Sequence, residues 1–185
     1  MVASVALAAG PTVVRDGNDT VGPLDIAAAS LELRTKGAGA DRKRFVVLRV
    51  RTYGAWGAPE LARPGVMPNF LSFEFDRNRS RPADRCLDIG LRSGGALVAE
   101  MKAPCVPVGE RRVGSPIRVR RVDRRRLEVV VPRRLFGRSV GRYAWRATSS
   151  FEAIGDPRCP SPMVPPPERR YGACTDMTRF ARVAQ

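Results

Sequence analysis

Apolar and polar positions alternate every second residue along most of the chain, in short runs. From Arg44 to Thr52, Val46, Leu48 and Val50 fall on one side and Phe45, Val47, Arg49 and Arg51 on the other. From Phe70 to Asp76, Leu71, Phe73 and Phe75 oppose Ser72, Glu74 and Asp76. A period of two is that of a pleated strand with one face buried. Similar runs over Leu24–Leu33, Cys86–Arg92, Ala96–Lys102, Ile117–Arg121, Leu127–Val131 and Tyr143–Ser149 bring the predicted strands to about eight. Ser93-Gly94-Gly95 and Val122-Asp123-Arg124-Arg125 read as hairpin turns. Pro132 and Gly137 bracket one short helical turn. No run carries the spacing of a long amphipathic helix, and no apolar stretch approaches the roughly 20 residues of a membrane-spanning one. The pattern predicts an all-β fold, an antiparallel, jelly-roll-like β-sandwich.

The same pattern suggests boundaries. Residues 1–10 are apolar and small, and Ala6-Leu7-Ala8 fits a signal-peptidase site, so they read as a signal-peptide remnant. The sandwich is expected over residues 11–156, with 11–23 as an extended entry segment. Residues 157–185 are expected to form a Pro-rich tail, since proline is unsuited to a sheet interior. Four cysteines, Cys86, Cys105, Cys159 and Cys174, suggest two disulfides and an exported protein, secreted or held at the cell envelope. Three pairings exist, of which the local one, 86–105 and 159–174, is the simplest. A four-cysteine zinc site is disfavoured because no two cysteines share a C-x-x-C spacing.

Composition narrows the chemistry. Histidine is absent, which excludes His-based triads, His general bases and His-ligated zinc. No nucleophile elbow, P-loop or dinucleotide fingerprint is present, so a non-catalytic protein is expected. Glu74 and Asp76 lie two apart on one strand, at ~6.5–7 Å between Cα atoms. A catalytic acid needs a raised pKa, whereas the surrounding arginines lower it, so the pair reads as a solvated strand face. Lys and Arg number 33 against 18 Asp and Glu, a net charge of +15. Nearly all are Arg, which looks like the bias of a GC-rich genome and discounts any single one. The densest stretch, 111–126, places Arg118 and Arg120 on one strand face, followed by Arg124 and Arg126. This basic face reads either as an ordinary solvated surface carrying the compositional bias or as one that suits acidic cell-surface polymers. Nucleic acid fits less well, because no helix is available for a groove and no aromatics interleave with the arginines. Tyr53 and Trp56, in a Gly-rich loop, read either as a stacking platform for a glycan of the cell envelope or as a plug at the end of the sandwich.

Five segments occur together in order: Asp19-Thr-Val-Gly-Pro-Leu-Asp25-Ile26, Leu48 to Trp56, Phe73-Glu-Phe-Asp76, Pro132 to Gly137 and Tyr143 to Ser149. Over residues 16–176 the chain resembles exported actinobacterial proteins of unassigned function, themselves similar to DOMON-like and family-nine carbohydrate-binding-module sandwiches. The resemblance implies a β-sandwich and a calcium-holding loop after the third strand, which maps onto Asp76, Asn78, Ser80 and Asp84. Oxygen donors at alternate positions suit a hard cation. The loop lacks the expected glycine, Ser80 stands where a carboxylate is usual, and Arg77, Arg79, Arg81 and Arg85 oppose a cation. The plainer reading pairs Asp76 and Asp84 with those arginines. A second candidate for structural Ca²⁺ is Asp19 and Asp25 with Asp16, joined by Asp156 from the end of the last strand. The alternative there is turn chemistry.

Overall fold

Alternation becomes pleated sheet wherever it was sustained. A computed structural model describes residues 10–20, 22–62, 69–78, 83–92, 95–105, 112–113, 117–154 and 171–183. Among them the chain forms β1 (Thr12–Arg15), β2 (Ile26–Lys36), β3 (Lys43–Thr52), β4 (Phe70–Asp76), β5 (Arg85–Leu91) and β6 (Leu97–Lys102). These are followed by β7 (Arg112–Val113), β8 (Arg118–Arg121), β9 (Arg126–Pro132), β10 (Ala144–Ile154), β11 (Tyr171–Met177) and β12 (Ala181–Arg182). The helical pieces among the described residues are 3-10 stretches at Gly39–Asp41, Ala58–Ala62 and Arg133–Arg142.

The strands make two antiparallel sheets, so the fold is the expected all-β sandwich. One sheet runs β1-β2-β3-β9-β8, the other β11-β10-β4-β5-β6-β7, and β12 pairs with the start of β10. Leu31, Val46, Leu48, Val129 and Val131 face inward from the first sheet, and Leu71, Phe73, Phe75, Leu87 and Trp145 from the second. Phe73 and Trp145 pack with ring centroids 6.3 Å apart, and Phe136 meets Phe75 edge-on at 4.8 Å. Burying each large side chain is worth roughly 1.5–3 kcal/mol, which is what holds two layers of short strands together.

Three differences from the sequence reading have local causes. The helical turn expected to stop at Gly137 continues to Arg142. Phe136 and Val140, both buried, anchor it to the core on either side of that glycine. The segment read as an extended entry contains β1, registered on β2 from Thr12 opposite Leu31 to Arg15 opposite Ala28. The expected tail boundary at 156 is corrected, because β11 pairs with β10 from Thr148 opposite Met177 to Ile154 opposite Tyr171. Residues 171–183 therefore belong to the sandwich. The expected Cys86–Cys105 disulfide is present, with its Cα atoms 5.2 Å apart. Cys174 is also disulfide-bonded, while Cys159 lies outside the described residues. So do residues 1–9 of the segment expected at 1–10 to be a signal-peptide remnant, Ser80, Ser93, Gly94, Asp156 and the prolines of 157–167.

Candidate functional site

The two sheets converge where the chain enters β2. Asp25 immediately precedes that strand, and Tyr53, just past β3, donates its backbone N–H to the Asp25 carbonyl at 2.8 Å. The Tyr53 hydroxyl donates to the Asp16 carbonyl at 2.8 Å. The Asp16 N–H donates to the Ala27 carbonyl at 3.2 Å, beside a shift in the β2–β3 register between Ile26 and Ala28. Irregularities of this kind re-aim side chains at sheet ends. From the other sheet, the Ser149 hydroxyl donates to the Leu24 carbonyl at 2.8 Å, and Oδ2 of Asp176 on β11 accepts the Ile26 N–H at 2.5 Å.

These bonds gather carboxylates. Asp19, Asp25 and Asp176 each place one ligand oxygen within 4.8 Å of the others. Asp25 and Asp176 are buried, at 2% and 4% exposure, and Asp19 is exposed. Burial pushes the Asp25 carboxyl up to about 7, helped by the charges of Asp176, Asp19 and Asp16. Asp176 is pushed up to about 6, chiefly by burial, with the Ile26 N–H pulling the other way. Asp16 is raised as well, again chiefly by burial. Oδ1 of Asp25 and Oδ2 of Asp16 are buried with no hydrogen-bond partner among the described residues. The expected Asp19 and Asp25 pair is thus brought together with Asp16. Asp176 joins them, a residue that nothing in its own neighbourhood marks out. The only clue is that a strand at 171–177 would lie beside β10.

The second feature is the outer face of the five-stranded sheet. On β8, Arg118 and Arg120 are exposed while Val119 and Arg121 are half-buried, as the alternation requires. Glu128 on β9 accepts from Arg49 at 2.9 Å and from Arg120 at 3.1 Å. Glu32 on β2 accepts from Arg49 at 2.9 Å and from Arg34 at 2.6 Å. Asp123 in the β8–β9 turn holds Arg126 at 2.5 Å. Arg51, Arg118 and Arg124 form no ion pair among the described residues. Arg51, Arg124, Arg125 and Arg126, with Tyr53 and Asp123, line a depression of about 540 Å³. A neighbouring one of about 290 Å³ is lined by Val13, Arg49, Arg120 and Glu128 among others.

Other expectations are corrected. Trp56 is 3% exposed and belongs to the core, so it presents no stacking face. The Arg121 guanidinium lies over its ring, 5.1 Å from the centroid, and donates to its carbonyl. Tyr53, 37% exposed, is the aromatic that reaches the depression. After β4, Asp76 is fully buried and its Oδ1 accepts the Asn78 N–H at 2.8 Å, a local turn. Asp84 accepts the Arg77 N–H at 2.8 Å and its guanidinium at 2.9 Å, which holds the Asp84 carboxyl below its ordinary value. Arg77 thus pairs with Asp84, as the plainer reading expects, whereas Asp76 is held by the Asn78 backbone rather than by an arginine, and Ser80 lies outside the described residues. Glu74 is bound to Arg146 at 2.6 Å. The face read as solvated at Glu74 and Asp76 is therefore paired at one residue and buried at the other. No protein-family model, curated protein or solved structure matches the chain.

Proposed function

We propose that this chain is an exported, non-catalytic binding domain that holds an acidic glycan of the cell envelope against the outer face of its five-stranded sheet. One observation carries the reading: four arginines, Arg51, Arg124, Arg125 and Arg126, surround a depression of about 540 Å³ whose one lining carboxylate is Asp123. A guanidinium presents a planar fork of N–H donors that matches a carboxylate, sulfate or phosphate in two-point contact. Tyr53 at the same depression offers part of a ring face to the apolar side of a sugar. Outward positions along a strand recur at ~6.5–7 Å, so Arg118 and Arg120 form a ladder of charge suited to an extended polymer. A net charge of +15 draws such polymers from a distance. The Cys86–Cys105 disulfide suits an oxidising compartment and supports export. Recognition of a neutral glycan by stacking loses its main support with the burial of Trp56.

The test is retention on an immobilised uronate or sulfated polysaccharide against a neutral glucan. The acidic matrices are expected to retain the protein, with affinity falling steeply as salt rises. The triple variant Arg51→Ser, Arg124→Ser, Arg125→Ser is expected to bind about tenfold more weakly, taking roughly 0.5 kcal/mol per lost contact. These side chains form no ion pair among the described residues, so its melting temperature should be no lower than the parent's. Equal retention of parent and variant, or binding indifferent to salt, overturns the proposal.

A further inference from the structure

We propose that Asp19, Asp25 and Asp176, with Asp16 beside them, form a divalent-cation site, with calcium as its occupant, that clips the entry segment to β11. Three observations carry this. The first is geometric. The ligand oxygens of Asp19, Asp25 and Asp176 lie within 4.8 Å of one another. Calcium binds oxygen at about 2.3–2.6 Å, so oxygens on opposite sides of one ion stand roughly 4.6–5.2 Å apart. Separations of up to 4.8 Å are of the size that three oxygens around one calcium ion span, and calcium's longer, more variable bonds tolerate such a cluster better than magnesium's rigid ~2.0–2.1 Å octahedron does.

The second is an unanswered acceptor. Asp25 is only 2% exposed, yet its Oδ1 has no hydrogen-bond partner among the described residues. A buried carboxylate oxygen without a donor is costly and uncommon. An ion between Asp25 and its neighbours supplies the missing partner.

The third is the distribution of charge. The chain carries 33 basic residues, and Glu32, Glu74, Asp84, Asp123 and Glu128 are each met by arginine. The charges that bear most on the buried Asp25 and Asp176 are those of other aspartates. Like charges gathered in a buried place repel unless protons or a cation neutralise them. All the ligands are oxygens, which suits a hard cation; zinc more often takes nitrogen or sulfur. Asp19 is exposed, so the site opens to solvent, and water completes the coordination shell. Because Asp25 leads into the five-stranded sheet and Asp176 sits in the other, one ion joins both layers at this end of the sandwich.

The test is thermal melting in EDTA and in CaCl₂, with calorimetric titration of CaCl₂ into EDTA-treated, dialysed protein. Extracellular calcium modules bind at about 0.1–1 mM, so titration to about 10 mM suffices. The parent is expected to melt about 5 °C or more higher with calcium, and less with MgCl₂. Asp25→Asn keeps the shape and removes one repelling charge. In EDTA it should melt at or above the parent, and calcium should then add nothing. Asp84→Asn, outside the cluster, should respond as the parent does. No shift and no heat in the parent, an unchanged response in Asp25→Asn, or a response abolished by Asp84→Asn would each overturn the assignment.

Discussion

Gly22 sits between Asp19 and Asp25 with φ at +112°, and a Cβ there would lie 2.5 Å from Cδ1 of Phe151. Both facts demand glycine: the backbone is in a region that L side chains avoid, and the space is already filled. Gly22→Ala should therefore cost about 2 kcal/mol in urea denaturation and disturb the Asp19–Asp25 loop as well. An unchanged midpoint would show that Phe151 yields easily. Glu32 gives a pH-dependent counterpart. The Arg34 hydrogen bond is the main cause holding its carboxyl below the ordinary value; burial opposes it and Arg49 adds to it. A lowered folded value means the stabilisation is complete above the unfolded carboxyl's pKa, about 4.3, and is lost as pH falls through the folded value. Arg34 is half exposed, so solvent screening keeps the effect under about 1 kcal/mol. Glu32→Gln is expected to destabilise by that much at neutral pH and by nothing in strong acid, compared by urea melts at both. An equal difference at both pH values would assign the effect to packing. Single residues were legible from sequence only in part. Trp56 was ambiguous because flanking glycines mark a loop without saying to which side its tryptophan folds. The deciding partner, Arg121, lies 65 residues away.

At the level of elements, the β5–β6 hairpin is closed twice. Its register runs from Cys86 opposite Lys102 to Leu91 opposite Leu97, and the Cys86–Cys105 bridge clamps its open end across a separation of 19 residues. The Cys105 N–H donates to the Ala83 carbonyl at 3.1 Å, so the bridge holds backbone already in place. Closing a loop of that length stabilises by about 3 kcal/mol in the chain-entropy description. The double variant Cys86→Ala, Cys105→Ala should lose most of this in chemical denaturation while still folding. A loss well under 1 kcal/mol would mean the hairpin is equally restrained without the bond. All eight strands expected from alternation are present, because each has one face in the core and so had to alternate. The strands that escaped notice lack that signature. β11 reads Tyr-Gly-Ala-Cys-Thr-Asp-Met, with small residues where a core strand would carry large ones. β1 spans four residues, of which Val14 alone is buried. The candidate cation site inherits this blindness: Asp19 and Asp25 could be read from their loop, but Asp176 depends on a strand whose pairing, not its pattern, defines it.

On the scale of the whole molecule, charge sets two opposing responses to salt. With +15 net charge the folded protein repels itself, and the sheet face around Arg51, Arg124 and Arg125 concentrates that repulsion. The screening length is about 30 Å at 0.01 M salt and about 10 Å at 0.1 M, so the change spans the size of a small domain. Unfolding spreads the same charges apart and relieves the repulsion. Added NaCl over this range is therefore expected to raise the melting temperature while weakening retention on an acidic polysaccharide. The Arg51→Ser, Arg124→Ser, Arg125→Ser variant sharpens the contrast: with less charge to screen, both its melting temperature and its binding should depend less on salt than the parent's. Surface ion pairs such as Arg120–Glu128 pull the other way, since salt weakens them, but exposed pairs of this kind are each worth well under about 1 kcal/mol. A melting temperature that falls with salt would mean that these local pairs outweigh the global repulsion. The basic face would then be held together by its own carboxylates rather than left open for an anionic partner.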